Sequence, residues 1–448
     1  MSHTPADLTR LALDAALTAG ADAADAVALD GTALSIDVRA GALEQAERSE
    51  GRDLGLRVFV GKRVASVSTS DMRPETLAML AERAVAMARE APEDEYVGLA
   101  DPSQLARGWD LAALELADPS AEPSPAELED DARTAEAAAL AVTGITQVQS
   151  ASAQYSAQNV CIAATNGFEG SYRRTSRARS VVAMAGEGLK MERDYDGDSR
   201  TFQSDLRSAE EIGRTAGARA LERLNPRRPK TGAYPVLYDE RISSSLIGHL
   251  TAAMSGAAIA RGSSWLLNAL GEQVLPEALS LTEDPHRPRA AASRPFDGEG
   301  LPTRPRTLVE NGMIRGWTLD LANARKLGME STANAARGTS GGIGPACWNL
   351  ALTQGAQTRE ELMKQMGTGL LVTSMIGSTI NPNTGDYSRG AAGWWIENGE
   401  PVYPVSGVTI AGNLREMLRT LVPANDARPW LTRVVPSLLV EGLTLAGD

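Results

Sequence analysis

One stretch constrains this chain more than any other. Residues 145–188 read ITQVQSASAQYSAQNVCIAATNGFEGSYRRTSRARSVVAMAGEG, a long β-like run with Asn166–Gly167 placed as a turn inside it. Shorter alternating runs precede it. ALSIDVRAG (33–41) and LGLRVFVGKRVASVSTS (54–70) read as antiparallel strands, with Gly61–Lys62 as a tight hairpin turn. Helical patterns lie between these runs. Residues Pro5–Gly20 place Leu8, Leu11, Ala12 and Ala15 on one face. Residues 73–91 form a second helical pattern, with Pro74 suited to its first turn. Ser124–Pro125 opens a third that runs to about Val142, and a fourth spans about Ala209 to Leu224. The first half therefore reads as α+β.

Two proline-rich stretches punctuate the chain. ADPSAEPSPAELEDD (117–131) excludes a helix interior or a central strand, and gives a sub-boundary near 118–126. NPRRPKTGAYP (225–235) is the stronger break and divides the chain into residues 1–228 and 229–448. The second part opens with VLYD and a helix predicted over Arg241–Ile259, then turns β-rich. LVENGMIRGW (308–317) and WWIENGEPVYPV (394–405) are hairpins with the same Asn-Gly turn, in which both residues accept positive φ. The two turns lie too far apart to be a short-period repeat. The predicted fold is α+β: an N-terminal α+β domain followed by a β-rich C-terminal domain of mainly antiparallel strands.

A chain of 448 residues with 43% hydrophobic and 23% charged residues has ample material for a core and is long enough for two or three domains. Its net charge of −13 repels phosphate backbones, so nucleic acid is not an expected partner. Arg173, Arg174, Arg177 and Arg179 form the one basic cluster that could escape that argument, and they read as a solvated strand face. No apolar run reaches the ~18–20 residues needed to span a bilayer, and the N-terminus lacks a basic start followed by an apolar block. Only Cys161 and Cys347 are present, far apart, which is no disulfide framework. The expected location is the cytoplasm.

Catalytic equipment is sparse. The histidines are His3, His249 and His286, and no H-E-x-x-H, C-x-x-C or H-x-H occurs. GTSGG (338–342) matches the letters of a nucleophile elbow, but neither a strand before it nor a helix after it is predicted, so it reads as a Gly-rich loop. No phosphate-binding glycine loop is present. The densest chemistry lies in GDYSRGAAGWWIENGEPVYPV (385–405). Asp386 and Arg389 are spaced to pair or to orient a polar ligand, beside Tyr387. Trp394 and Trp395 should face opposite sides of a strand. On residue chemistry alone, binding and packing stand level for this stretch.

These residues also carry a resemblance. TGDYSRGAAGWWIENGEPVYPVSGVTIAGNLREM resembles the C-terminal block of the PmbA (TldE) branch of the TldD/PmbA peptidase family, historically called modulators of DNA gyrase. HLTAAMSGAAIARGSSWLLNALGEQVLP, EDPHRPRAAASRPFDGEGLPTR, ANARKLGMEST and MGTGLLVTSMIGS support it, in order, and the resemblance covers most of the chain. It implies a peptidase built from two related subunits. In the TldD-like subunit an H-E-x-x-x-H helix and a later Cys hold zinc, with the Glu as general base. Matched onto RISSSLIGHLTAAMSG, the two His positions fall at Ser244 and His249, the Glu at Ser245 and the Cys near Val435.

The resemblance thus implies a degenerate metal site, with no catalytic residue and no cofactor in this chain, and zinc in a TldD-like partner. The implied partners are that subunit and an unfolded or extended peptide, with a homodimer when the chain is alone. Asp386, Tyr387, Arg389, Trp394 and Trp395 then become candidate interface or peptide-binding residues. The alternatives left open are a self-sufficient homodimeric hydrolase with an unrecognised site and a non-enzymatic peptide-binding scaffold. Periodicity adds that Ile242, Leu246, Leu250 and Met254 form a buried stripe, with His249 off its centre.

Overall fold

The computed structural model describes residues 3–448. Helix α1 (Pro5–Thr18) starts at a capping box: the Thr4 side chain accepts from the Asp7 amide while the Asp7 carboxylate accepts from the Thr4 amide. It buries Leu8, Ala12, Leu13 and Ala16, and Leu11 and Ala15 pack at the edge of the same core. The chain then enters β1 (Ala23–Arg39), β2 (Ala42–Val60) and β3 (Arg63–Thr69), and returns along α2 (Pro74–Glu90). The same order recurs: α3 (Pro125–Leu140), then β4 (Ile145–Ala164), β5 (Glu169–Ala185) and β6 (Glu192–Arg200), then α4 (Ala209–Glu222).

The two α-β-β-β-α units join through β1 and β4 into one antiparallel six-stranded sheet, ordered β3-β2-β1-β4-β5-β6. Helices α1 and α2 cover the first half, and α3 and α4 cover the second. The latter two pack backbone to backbone. A Cβ on Gly213 would lie 2.1 Å from the Ala135 carbonyl oxygen, so no larger residue fits there.

The hairpin of β1 and β2 is longer than its sequence pattern suggests. It turns at Ala40–Gly41, both at positive φ, and runs back to Phe59 opposite Ala23 with one bulge, at Asp37–Val38. Residues 42–51 of β2 are exposed throughout and carry no alternating pattern, because neither face of that segment is buried. Strand β3 pairs only with residues 54–60 of β2, which leaves the outer half of that edge open. The arginine cluster on β5 also differs from the solvated face expected of it. Arg177 is buried, and it and Arg179 both bind Asp131 of α3, at 2.5 and 2.8 Å. Arg174 donates to the Ala291 and Ser293 carbonyls.

The C-terminal region is built on a second six-stranded sheet. Its long strands are β7 (Gly232–Tyr238), β8 (Gly369–Ile380), β9 (Asp386–Glu397), β10 (Glu400–Asn413) and β11 (Leu438–Ala446). The order is β10-β9-β8-β7-β11, ending on the short strand Val422–Pro423. Only β7 and β8 run parallel. Thr409–Ala411 of β10 pair with Thr444–Ala446 of β11, so the sheet curls until its first and fifth strands meet. Asn398 and Gly399 both adopt positive φ in the β9–β10 turn, as do Asn311 and Gly312 in the smaller hairpin. A smaller five-stranded sheet, from strands between Leu281 and Val434, extends this region. The fold is α+β, with a β-rich C-terminal region of mainly antiparallel strands.

Helix α5 (Glu240–Ala253) fills the concave side of the curled sheet. Leu246, Leu250 and Met254 are fully buried in the largest core of the molecule, among Val236, Tyr238, Leu370 and Ile410, and Ile242 packs against it. The helix predicted over Arg241–Ile259 is in fact two. At Ser255 the chain makes a strand-like bridge to Thr318, and a short helix, Gly256–Ala260, begins anew. Gly256 allows a close approach there, since a Cβ would lie 2.4 Å from Leu319 Cδ2.

Candidate functional site

Helix α5 and strand β9 bring four of the nine predicted site residues together: Ser245, His249, Tyr387 and Arg389. Ser245 and His249 are one turn apart on α5, on the flank of the buried stripe. The His249 ring meets the Tyr387 ring edge to face, with centroids 5.9 Å apart. Tyr387 belongs to β9 and is almost fully buried; its hydroxyl donates weakly to Met375 Sδ at 3.7 Å. Tyr238 of β7 lies beside it, with its hydroxyl unbonded among the described residues. Burial raises the pKa values of both phenols, so both are protonated at neutral pH.

Arg389 is two residues beyond Tyr387 on β9 and shares its face. It does not pair with Asp386, as the sequence spacing suggests it could. Residues an odd number apart on a strand point to opposite faces. Asp386 instead binds the Thr384 hydroxyl at 2.6 Å and Asn413 Nδ2 at 3.1 Å, where it fixes the turn before β9. Arg389 donates through Nε to the Gly377 carbonyl at 2.7 Å. Trp395 is buried and packs edge to face on Tyr234, while Trp394 faces the other side of the sheet, where it lines a cleft of about 470 Å³ with Arg219, Arg241 and Arg359. The tryptophans therefore lie on opposite faces, and neither takes part in the His249 cluster.

Arg433 completes the cluster, and the sequence reading missed it. It lies two residues before Val435 in a two-residue strand, in no motif that would draw attention. Its guanidinium passes over α5 where Gly248 leaves room: a Cβ at 248 would lie 3.1 Å from Arg433 Nη1. Burial lowers the His249 pKa, and the positive charges of Arg389 and Arg433 lower it further. Val435 is buried, and its carbonyl accepts a long contact, 3.4 Å, from the Ser243 hydroxyl.

A zinc ion does not fit this donor set. His249 supplies the one nitrogen ligand, Ser244 and Ser245 offer neutral hydroxyls, and Val435 offers no donor. Two guanidinium groups face the imidazole, where a cation would be repelled. Among the described residues, no group of three or more His, Cys, Asp or Glu side chains gathers to hold a metal ion. The GTSGG loop supplies no nucleophile either. It links two two-residue strands, not a strand and a helix, and Thr339 is packed against Gly55.

The architecture is that of a two-part α+β protein with a polar cluster between a core helix and a curled sheet. Known proteins share it along nearly the whole chain. Residues 24–88 match the PmbA/TldA metallopeptidase domain 1, residues 118–224 the central domain, and residues 231–447 the C-terminal domain. The Escherichia coli O157:H7 metalloprotease PmbA is 37% identical over 95% of this chain and 93% of its own. A crystal structure from Bacteroides thetaiotaomicron, described as a proposed modulator of DNA gyrase, superposes with a TM-score of 0.90 at 29% identity, covering 98% of both chains. The Thermococcus kodakarensis TldE structure has the same fold, with a TM-score of 0.85 at 22% identity over 98% of this chain and 100% of that one. This chain belongs to the PmbA/TldD metallopeptidase family.

Proposed function

We propose that this chain is the non-metal subunit of a two-subunit zinc peptidase, holding an extended or unfolded peptide while a TldD-like partner cuts it. One observation carries the reading: on the helix where a family metalloprotease needs ligands and a base, this chain has Ser244, Ser245 and His249, and the positive charges of Arg389 and Arg433 act on His249. Without a metal-bound water or a carboxylate base, the chain has no evident route to a nucleophile near neutral pH. The family architecture persists around the changed positions, which favours a retained role in binding over loss of function. Extended peptides can be held by main-chain pairing at open strand edges, with little demand on their sequence.

The test is digestion of an unfolded peptide by this chain alone, by a TldD-like partner alone, and by both together, each with and without a chelator. The expected result is chelator-sensitive cleavage in the mixture only. Cleavage by this chain alone would favour a self-sufficient hydrolase. Full activity of the partner alone would remove this chain from the mechanism.

A further inference from the structure

The cluster around His249 is rich in hydrogen-bond donors and poor in acceptors. Ser245 Oγ and His249 Nε2 are both shielded from solvent and, among the described residues, neither has a hydrogen-bond partner. Buried polar atoms are rarely left in that state, because each unmade bond leaves the group's lost hydration uncompensated. Their neighbours cannot satisfy them with negative charge. The charged groups that act on His249 are Arg389 and Arg433, and no carboxylate joins them. Arg433 is exposed and, among the described residues, makes no hydrogen bond or ion pair, although Gly248 leaves room for its guanidinium. Arg389 uses Nε on the Gly377 carbonyl.

Two guanidinium groups thus act on the buried His249 imidazole, with the Ser245 hydroxyl one turn away on α5 and the Tyr387 phenol against the ring. We propose that the cluster is an anion-binding site for a peptide carboxylate, seated where the related metalloproteases would need a cation. Guanidinium groups bind carboxylates through paired, charge-assisted hydrogen bonds, and the planar fork favours a carboxylate over a spherical anion. The ligand is a free C-terminal carboxylate or an acidic side chain of a bound peptide. Such a contact would anchor the peptide at one point while main-chain pairing holds the rest. The inference rests on the peptide-holding role proposed above.

The experiment uses the full chain and three fluorescently labelled peptides of one neutral sequence. One has a free C-terminus, one is C-terminally amidated, and one is amidated with a single Glu near its end. Affinities are measured by anisotropy for the wild type, Arg433→Gln and Arg389→Gln. The free acid or the Glu peptide should bind at least ~10-fold more tightly than the neutral amide, as expected for a charge-assisted pair. Whichever does so identifies the source of the carboxylate. Arg433→Gln should erase that preference, and Arg389→Gln should reduce it.

Equal affinity for all three peptides, or a preference that survives Arg433→Gln, overturns the site while leaving the holding role standing. If none of the peptides binds, the holding role fails, and a second measurement then decides the site. The His249 ring resonances are followed by NMR as N-acetylalanine or its amide is added. A saturable shift with the acid alone, lost in Arg433→Gln, upholds the carboxylate site. No acid-specific shift overturns it.

Discussion

Asp25 of β1 and Arg337 are 312 residues apart in the chain, yet their side chains meet at 2.7 Å with almost no exposure to solvent. Arg57 binds the same carboxylate at 2.5 Å and reaches Glu299 at 3.7 Å. Burial pushes the Asp25 pKa upward, but Arg337 and Arg57 outweigh it and hold the carboxyl below its ordinary range. The cluster ties the N-terminal sheet to the region that carries the C-terminal core. Removing Asp25 would leave Arg337 buried and unpaired. Asp25→Ala is expected to cost about 3–5 kcal/mol in urea unfolding, and a cost within error of zero would contradict the assignment.

Glu299 titrates in the opposite sense. Burial raises its pKa to about 8, with Arg57 opposing the shift and Asp297 adding to it. A carboxyl whose folded pKa lies above its unfolded value stabilises most below the unfolded value, near 4.3. That stability is lost as the pH rises through about 8. Glu299→Gln carries no such loss. The variant should gain on the wild type steadily between pH 5.5 and pH 8.5, read as the difference in unfolding free energy. A constant difference would show that Glu299 is ionised in the folded protein.

Gly55 of β2 lies directly under the GTSGG loop. A Cβ there would lie 2.2 Å from the Thr339 carbonyl oxygen, a backbone atom that cannot rotate away. Gly55→Ala should force the loop off the sheet at a cost of about 1–3 kcal/mol, the usual range for overpacking. Thermal unfolding gives the magnitude, and faster limited proteolysis within residues 338–342 would locate the change. An unaltered melting temperature would show that the loop yields freely.

The isolated chain is expected to carry no stoichiometric zinc after gentle purification without chelators. The reason is the donor set, one imidazole, two hydroxyls and a valine, with two arginines acting on the imidazole. Elemental analysis checks it. About one zinc per chain, lost on His249→Ala, would show that the protein builds a site from ligands the geometry does not suggest.

How much of this was legible in the sequence depended on whether a segment buries one face. The helix patterns at 5–20, 73–91 and 124–142 match helices because each has an apolar stripe and a proline or hydroxyl start. Residues 42–51 bury nothing, so the charged outer half of β2 left no periodic trace, although it pairs with β1 along its length apart from one bulge. The break at Ser255 was hidden for another reason: it coincides with a tertiary bridge to Thr318, and its local mark, the Ser255–Gly256 pair, is a weak signal inside an apolar pattern. The site was legible only in part. The 385–405 stretch drew attention for its density, but strand alternation divides it, sending Tyr387 and Arg389 toward His249 and Asp386 away. Arg433 reaches the site only through the fold, across 184 residues from His249 (433 − 249).

The last strand of the curled sheet has a consequence for how the protein is made. Strand β11 lies beside β7 and also closes against β10, so it completes the sheet from within. Until residue 446 has left the ribosome, β7 has an open edge and the core around α5 has no wall on that side. The N-terminal sheet needs no residue beyond 200 for its strands and can form while synthesis continues. The C-terminal half must wait for nearly its whole length, since pairing across 200 residues pays its loop-closure entropy before any contact forms. A ribosome stalled before β11 has emerged would therefore present a finished first half joined to an unfinished second half, with an apolar strand edge exposed to chaperones and proteases.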